Sequence, residues 1–126
     1  MATFPARFCK TSDGVRIAYA TGGRGLPLIK TPNWLNHLEF DPKSRIWGRW
    51  INEMSQTFCL VRYDARGCGL SDREVREISF ATHYLDLDAV VEAAGFRRFA
   101  LFGMSQGGAI AIDYAARHPE RVSHLI

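Results

Sequence analysis

The amino-acid sequence predicts an α/β fold in which an antiparallel hairpin leads into a parallel sheet with helices on both faces. Two observations support this prediction. Short apolar runs of strand length alternate with stretches of helical periodicity, which is typical of parallel strands joined by helices. Ahead of this alternation, Asp13-Gly14 separates two strand-like runs and marks the tight turn of a hairpin. The expected result is one layered domain built on a single sheet.

The composition is that of an ordinary globular domain. The chain has 126 residues, of which 47% are hydrophobic and 23% are charged, enough for one domain with one core. Its net charge of +3 comes from scattered arginines without a basic stripe, so we expect no nucleic-acid partner. We also expect no membrane span and no metal site, because the sequence has neither a long apolar run nor metal-ligand spacing, and nothing in it implies a cofactor. The three cysteines are odd in number and far apart, which argues against a disulfide framework and predicts a reducing, cytoplasmic location.

The first half of the chain contains four predicted strands and one helix. Arg7 to Lys10 and Val15 to Ala20 form the hairpin, and Leu26 to Ile29 form a buried strand. Asp41 is predicted to cap the helix that follows. The apolar stripe of that helix, interpreted as core, consists of Ile46, Trp47, Trp50, Ile51 and Met54. Phe58 to Tyr63 is predicted to be the fourth strand.

The second half alternates between helix and strand. A helix is predicted from an N-cap at Ser79 to a stop at Gly95. Phe99 to Phe102 has the length of a buried strand, and the helical pattern after it continues until Pro119. Val122 to Ile126 then begins a sixth strand.

Between the fifth strand and its helix lies a G-x-S-x-G motif at residues 103–107. In a strand-turn-helix context this motif is the nucleophile elbow, a turn so tight that its central residue, Ser105, is strained and stands above the sheet. A Cβ at Gly103 or Gly107 would collide across the turn, and Gly108 is expected to let the helix approach the strand. The turn would also aim the backbone N–H of Gln106 at a developing oxyanion. The alternative is that Ser105 only caps the helix, but a cap explains neither flanking glycine.

A second motif follows the fourth strand, where residues 63–72 read YDARGCGLSD. Together with GMSQGG at 103–108 and RHPERV at 117–122, it resembles the N-terminal half of a serine-type α/β-hydrolase over nearly the whole chain. The resemblance implies an α/β-hydrolase fold truncated at about the sixth strand. Residues 1–126 would then be one partial domain without the lid region and the C-terminal acid and histidine. By the same resemblance Arg66 braces loops near the active site, whereas Asp64 and Asp72 are structural.

The resemblance also indicates a second oxyanion-hole donor after the third strand. The family usually carries His-Gly there, but this chain has Pro32-Asn33. By that alignment the backbone N–H of Trp34 is the expected donor, with Asn33 as the alternative. The Trp34 side chain is expected in the core or in a pocket wall. The departure matters because proline donates no N–H and constrains the turn differently from histidine.

The family order of catalytic residues is serine, acid, histidine. We expect the base beyond Ile126, because His118 falls at a helix exit on the far side from Ser105 and His124 lies inside a strand. His83, in a predicted helix, is expected to be a surface or boundary histidine. The isolated chain is therefore expected to be inactive and to associate with itself through the exposed edge of its sheet.

These observations leave more than one function open. The first is a serine hydrolase that cleaves an ester or related acyl bond of a small molecule, with Ser105 as nucleophile and the N–H groups of Gln106 and Trp34 as oxyanion hole. A serine in place of an aspartate argues against dehalogenase or epoxide-hydrolase chemistry. The second is a non-catalytic sensor or binding module of a signalling protein, for which the Pro32-Asn33 departure is the motive. An inactive gene fragment is the third.

Overall fold

The computed structural model describes residues 4–126, which form six β-strands, three α-helices and one short 3-10 helix. The strands are β1 (Arg7–Lys10), β2 (Arg16–Gly22), β3 (Leu26–Lys30), β4 (Phe58–Tyr63), β5 (Phe99–Phe102) and β6 (Val122–Leu125). The helices are α1 (Trp47–Thr57), α2 (Phe80–Ala94) and α3 (Gln106–Arg117), and the 3-10 helix is Asp41–Lys43. These elements match the predicted alternation.

The strands form a single mixed sheet in the order β1-β2-β4-β3-β5-β6. The first pairings, β1 with β2 and β2 with β4, are antiparallel. All later pairings, β3 with β4, β3 with β5 and β5 with β6, are parallel. The turn between β1 and β2 uses Gly14 at φ 87°, a backbone region that glycine occupies at little cost. The predicted antiparallel entry followed by a parallel sheet is confirmed.

Helices cover both faces of the sheet, as predicted. Successive strand residues point to opposite faces, so Leu28 and Ile29 of β3 serve different cores. Leu28 packs with Ile51 of α1 on one face. Ile29 belongs to the larger cluster on the other face, which includes Val91 of α2 and Tyr114 of α3. All five side chains are buried.

The beginning of α1 differs from the prediction. Asp41 does not cap this helix, because its carboxylate accepts a hydrogen bond from the backbone N–H of His37 at 3.2 Å and a separate 3-10 turn intervenes. The Ser44 hydroxyl instead accepts from the backbone N–H of Ile46, just before α1, at 3.1 Å and from that of Trp47, its first residue, at 3.3 Å. Ile46 therefore precedes the helix, and its side chain is exposed rather than part of the core stripe.

Helix α2 begins and ends as predicted. The Ser79 hydroxyl accepts from the Thr82 N–H at 3.2 Å, and the Thr82 hydroxyl accepts from the Ser79 N–H at 2.9 Å. This reciprocal pair is a capping box with threonine in the usual Glu or Gln position. Gly95 ends the helix in the left-handed conformation at φ 73°.

The topology brings two loops together at one edge of the sheet. β3 and β5 are parallel neighbours, so their carboxyl ends lie side by side. The loop after β3 contains residues 31–34, here called the oxyanion loop, and the turn after β5 contains the G-x-S-x-G motif. Open α/β sheets bind ligands just beyond the carboxyl ends of their strands, where these two loops lie.

Candidate active site

Ser105 lies at the turn between β5 and α3 in a strained backbone conformation. Its φ of 56° and ψ of −127° make it the one non-glycine residue with a positive φ among residues 4–126. Such a conformation costs about 1–3 kcal/mol and persists only where the surroundings enforce it. Here β5 and α3 fix the turn from both sides, with Gly107 N donating to Met104 O at 3.0 Å and Gly108 N donating to Ser105 O at 2.9 Å. The side chain is exposed.

The geometry distinguishes an elbow from a simple cap. Ser105 occupies the N-cap position of α3, but its side chain makes no capping hydrogen bond. Among residues 4–126, no group hydrogen-bonds to its hydroxyl, so the backbone conformation of the turn alone determines where the side chain lies. The cap alternative therefore does not explain why serine occupies this position.

Two glycines permit the tightness of the turn. A Cβ on Gly103 would lie 2.5 Å from Gly107 O and 2.7 Å from Gly108 Cα. A Cβ on Gly107 would lie 2.4 Å from Thr31 Oγ1 and 2.5 Å from Pro32 O. Both positions therefore exclude a side chain, as expected. The expectation for Gly108 was wrong, because a Cβ there would have nothing nearer than Gly103 O at 3.9 Å.

The difference in space around Gly107 and Gly108 predicts different effects of alanine at the two positions. Gly107→Ala is expected to lower the free energy of unfolding by about 1–3 kcal/mol, because the new methyl group meets backbone and a buried hydroxyl that cannot move away. Gly108→Ala, one residue further along the same helix, is the matched control and is expected to be neutral or slightly stabilising. Urea denaturation of the two variants measures the difference. Equal losses in both variants would contradict the assigned packing.

The oxyanion loop is attached directly to the elbow. The Thr31 hydroxyl lies 2.8 Å from Gly107 O and 3.2 Å from Phe102 O, and it is fully buried. The Thr31 backbone N–H also donates to Phe102 O at 2.9 Å. These bonds set the distance between the loop after β3 and the turn after β5.

The candidate oxyanion donors have unused N–H groups. Within residues 4–126, the backbone N–H groups of Gln106, Trp34 and Asn33 donate no hydrogen bond to the protein. The Trp34 side chain is 74% exposed and lines a cleft, so of its two expected locations the core is wrong and the pocket wall is correct. Since both Trp34 and Asn33 are unused, the choice between them stays a prediction.

A cleft of about 210 Å³ opens between the oxyanion loop, the YDARGCGLSD loop and the start of α3. Its apolar wall includes Trp34, Leu35, Ile78 and Ile110, and its polar wall includes Gln106 and His83. The arrangement offers an apolar surface beside Gln106, the residue that follows Ser105 in the turn. Pockets of this kind orient a ligand by a few polar groups and bind it through apolar contact.

His83 is a site residue that sequence reasoning missed. It was expected at the surface or boundary, but its ring is buried and Nε2 lies 3.2 Å from Nε2 of the Gln106 side chain. Its other ring nitrogen, Nδ1, lies 3.8 Å from the carboxylate of Asp86. The i, i+3 spacing of His83 and Asp86 on α2 was the available signal, but nothing local indicated that Gln106 would approach from α3.

None of the four histidines hydrogen-bonds to Ser105 in the described part of the chain. His37 accepts from Glu39 N at 3.2 Å, and His83 is engaged by Gln106. His118 Nε2 lies 2.6 Å from the hydroxyl of Tyr84, and His124 is exposed on β6.

Arg66 lines the cleft and joins three segments of the chain around it. Its backbone N–H and its Nε donate to the buried Asp86 carboxylate at 3.1 and 2.9 Å. Its terminal nitrogens donate to Asp13 at 2.8 and 2.9 Å. These bonds from Arg66 lower the pKa of the Asp13 carboxyl to about 2. The bridge joins the β1–β2 turn, the YDARGCGLSD loop and α2, in agreement with the expected bracing role.

The two aspartates of the YDARGCGLSD loop have structural partners. Asp64 accepts from the backbone N–H groups of Leu38 at 3.2 Å and Leu70 at 2.9 Å. Asp72 accepts from the backbone N–H of Arg16 at 2.9 Å. Each carboxylate therefore fixes a loop, as the resemblance implied.

Neither a metal-binding cluster nor a membrane-spanning helix is present among residues 4–126. Residues 4–126 contain no cluster of three or more His, Cys, Asp or Glu side chains arranged to hold a metal ion. None of the helices in this range has the length and apolar character needed to cross a bilayer. The cytoplasmic location and the self-association stay predictions.

Comparison with known proteins identifies the fold. Residues 34–126 match the family model of the alpha/beta hydrolase fold. The chain is 34% identical to the AB hydrolase superfamily protein YisY of Bacillus subtilis, covering 88% of this chain and 40% of YisY. It is 31% identical to epoxide hydrolase 3 of Xenopus tropicalis, covering 90% of this chain and 30% of that protein. It also superimposes on the crystal structure of the esterase RhEst1 from Rhodococcus sp. ECU1013 with a TM-score of 0.77 and 27% identity, covering 95% of this chain and 44% of the esterase.

The chain spans only 30 to 44% of the length of these proteins. The matched region contains the elbow, the YDARGCGLSD loop and Trp34 of the oxyanion loop. With the family model covering most of its length, the chain belongs to the α/β-hydrolase family.

Proposed function

We propose that the protein containing this chain is a serine hydrolase that cleaves esters or related acyl bonds of small molecules. Ser105 is the nucleophile, and the backbone N–H groups of Gln106 and Trp34 form the oxyanion hole. The observation that carries this proposal is the strained, exposed Ser105 on a turn whose flanking N–H donors are unused within the described residues. A buried hydroxyl with satisfied neighbours would not support it.

The proposed reaction proceeds in two steps. A base removes the proton from Ser105 Oγ as the oxygen attacks the substrate carbonyl, and the two N–H groups stabilise the negative charge that develops on the carbonyl oxygen. The leaving alcohol takes the proton, and an acyl-serine forms. Water then attacks the acyl group with the help of the same base and releases the acid. Since none of the four histidines hydrogen-bonds to Ser105 within residues 4–126, the proposal assigns the base and its acidic partner to the rest of the hydrolase domain in the full-length protein.

The nucleophile's chemistry selects among the activities known in the relatives. A serine that opened an epoxide would become an ether, which water does not cleave under mild conditions. A serine that attacks an ester becomes an acyl ester, which the same site can hydrolyse. The similarity to an epoxide hydrolase therefore supports a shared fold, and Ser105 supports acyl chemistry.

Burst kinetics test this proposal on the full-length protein. With p-nitrophenyl acetate and butyrate we expect turnover, and where deacylation is slow a burst of one p-nitrophenol per active site before the steady state. Styrene oxide, offered under the same conditions, is expected to remain unopened. Epoxide opening without ester turnover would contradict the proposal. Binding of esters without turnover or burst would favour the non-catalytic sensor module instead.

A further inference from the structure

Lys30 is a buried cation at the end of β3, directly before the oxyanion loop. Its residue surface is 8% exposed, and its ammonium lies 5.8 and 5.9 Å from the ring centroids of Trp47 and Trp50. Lysine is rarely buried this deeply, because removing an ammonium group from water is costly unless its donors are satisfied. Burial lowers the pKa of Lys30 to about 8. The cost of burying this ammonium group must therefore be offset by the hydrogen bonds that it donates.

The donors of Lys30 are directed at the oxyanion loop. Nζ donates to Asn33 Oδ1 at 2.8 Å and to the backbone carbonyl of Thr31 at 3.1 Å. These acceptors flank Pro32, which contributes no N–H of its own to fix the loop. One ammonium group thus joins both ends of the three-residue segment that leads into Trp34.

The surroundings argue against Lys30 as a reacting group. The cavity beside it holds about 20 Å³, roughly the room of one water molecule, so no substrate carbonyl reaches the amine. The charged neighbours are Asp41, which favours the ammonium form, and the buried Arg62, which opposes it. Asn33 lines both this cavity and the cleft that also contains Trp34 and Gln106. Lys30 can therefore act on the cleft through Asn33.

We propose that Lys30 is a positioning residue that holds the oxyanion loop in its productive geometry through the hydrogen bond to Asn33 Oδ1. The inference rests on the proposed function, because the loop matters to catalysis only if its N–H groups stabilise an oxyanion. In this role the Lys30–Asn33 pair fixes a loop segment whose Pro32 has no N–H to donate. The charge of Lys30 adds strength to the hydrogen bond.

The expected effect is on the transition state. Without the Lys30 bond, Asn33 and the adjacent Trp34 N–H lose their fixed position, and small misplacements of catalytic groups cost up to about 10²-fold in rate. Because the oxyanion is present in the transition state and the tetrahedral intermediate but not in the bound substrate, kcat should fall while KM stays nearly constant. We expect Lys30→Met and Asn33→Ala each to lower kcat about tenfold or more, with KM changed less than about threefold.

A double-mutant cycle on the full-length protein tests the pair with an ester substrate. If both residues act through one hydrogen bond, Lys30→Met with Asn33→Ala should be no slower than the slower single variant. Asn33→Asp keeps the acceptor for the ammonium group and should recover most of the kcat lost in Asn33→Ala. Lys10→Met is the matched control, because Lys10 is an exposed lysine at the end of β1.

The outcomes separate the inference from the function it rests on. Multiplicative losses in the double variant, or equal losses in Asn33→Asp and Asn33→Ala, would overturn the positioning role. If Lys30→Met does not fold, the comparison of Asn33→Asp with Asn33→Ala decides by itself. A wild-type protein without ester turnover would instead refute the proposed function.

Discussion

Replacing Ser105 with alanine in the full-length protein is expected to lower kcat for ester hydrolysis by at least about 10³-fold. The variant keeps the two backbone N–H donors but loses the atom that forms the acyl bond. Because the Ser105 side chain is exposed and makes no hydrogen bond within the described residues, the free energy of unfolding should change by less than about 0.5 kcal/mol. Steady-state kinetics and urea denaturation measure the two quantities.

A surface serine provides the control for this prediction. Ser12 lies exposed in the turn between β1 and β2, away from the elbow, and Ser12→Ala is expected to change neither kcat nor stability. Retention of wild-type kcat in Ser105→Ala would refute the nucleophile assignment. A large loss of stability in that variant would show instead that the hydroxyl has a structural role.

The largest expected effect on stability comes from Asp86→Ala. Asp86 is fully buried and receives two hydrogen bonds from Arg66, so its removal leaves a guanidinium group that is 1% exposed without its inner partner. Breaking a buried ion pair from one side costs about 3–5 kcal/mol. We expect a loss near about 3 kcal/mol, the lower end, because Arg66 keeps its bonds to Asp13.

An exposed ion pair is the matched control for Asp86→Ala. Asp113 pairs with Arg117 on the surface of α3, where the arginine side chain is 52% exposed. Asp113→Ala should therefore cost no more than about 0.5 kcal/mol. Chemical denaturation measures the free energy of unfolding of the two variants. Similar losses in both would contradict the large stabilisation assigned to the buried Arg66–Asp86 pair.

The sequence predicted the elements of the fold well because its local signals agree with the final packing. Asp13-Gly14 formed the expected turn, and Ser79 and Gly95 form the two ends of α2. The error at Asp41 has a clear physical cause. An Asp-Pro pair favours a helix start, but the Asp41 carboxylate is drawn to the His37 N–H, so α1 begins four residues after the 3-10 turn ends.

The site was less predictable because its contacts join distant parts of the chain. The motif alone predicted the strained turn at Ser105 and the tight packing of Gly103 and Gly107, since both depend on the turn itself. His83 meets Gln106 only when α2 and α3 pack on the same face of the sheet. The bond between Lys30 and Asn33 spans three residues, yet a lysine at the end of a strand normally reaches solvent, and no local pattern indicates its burial.

The most direct measurement of the central claim is mass spectrometry of the full-length protein after reaction with a fluorophosphonate. Trypsin cleavage after Arg98 and Arg117 releases residues 99–117, in which Ser105 is the sole serine. We predict that the phosphonyl group is found on this peptide at Ser105, and that denaturing the protein before the reaction prevents labelling. A folded protein that hydrolyses esters while its label lies on a different peptide would contradict the assignment of Ser105 as nucleophile.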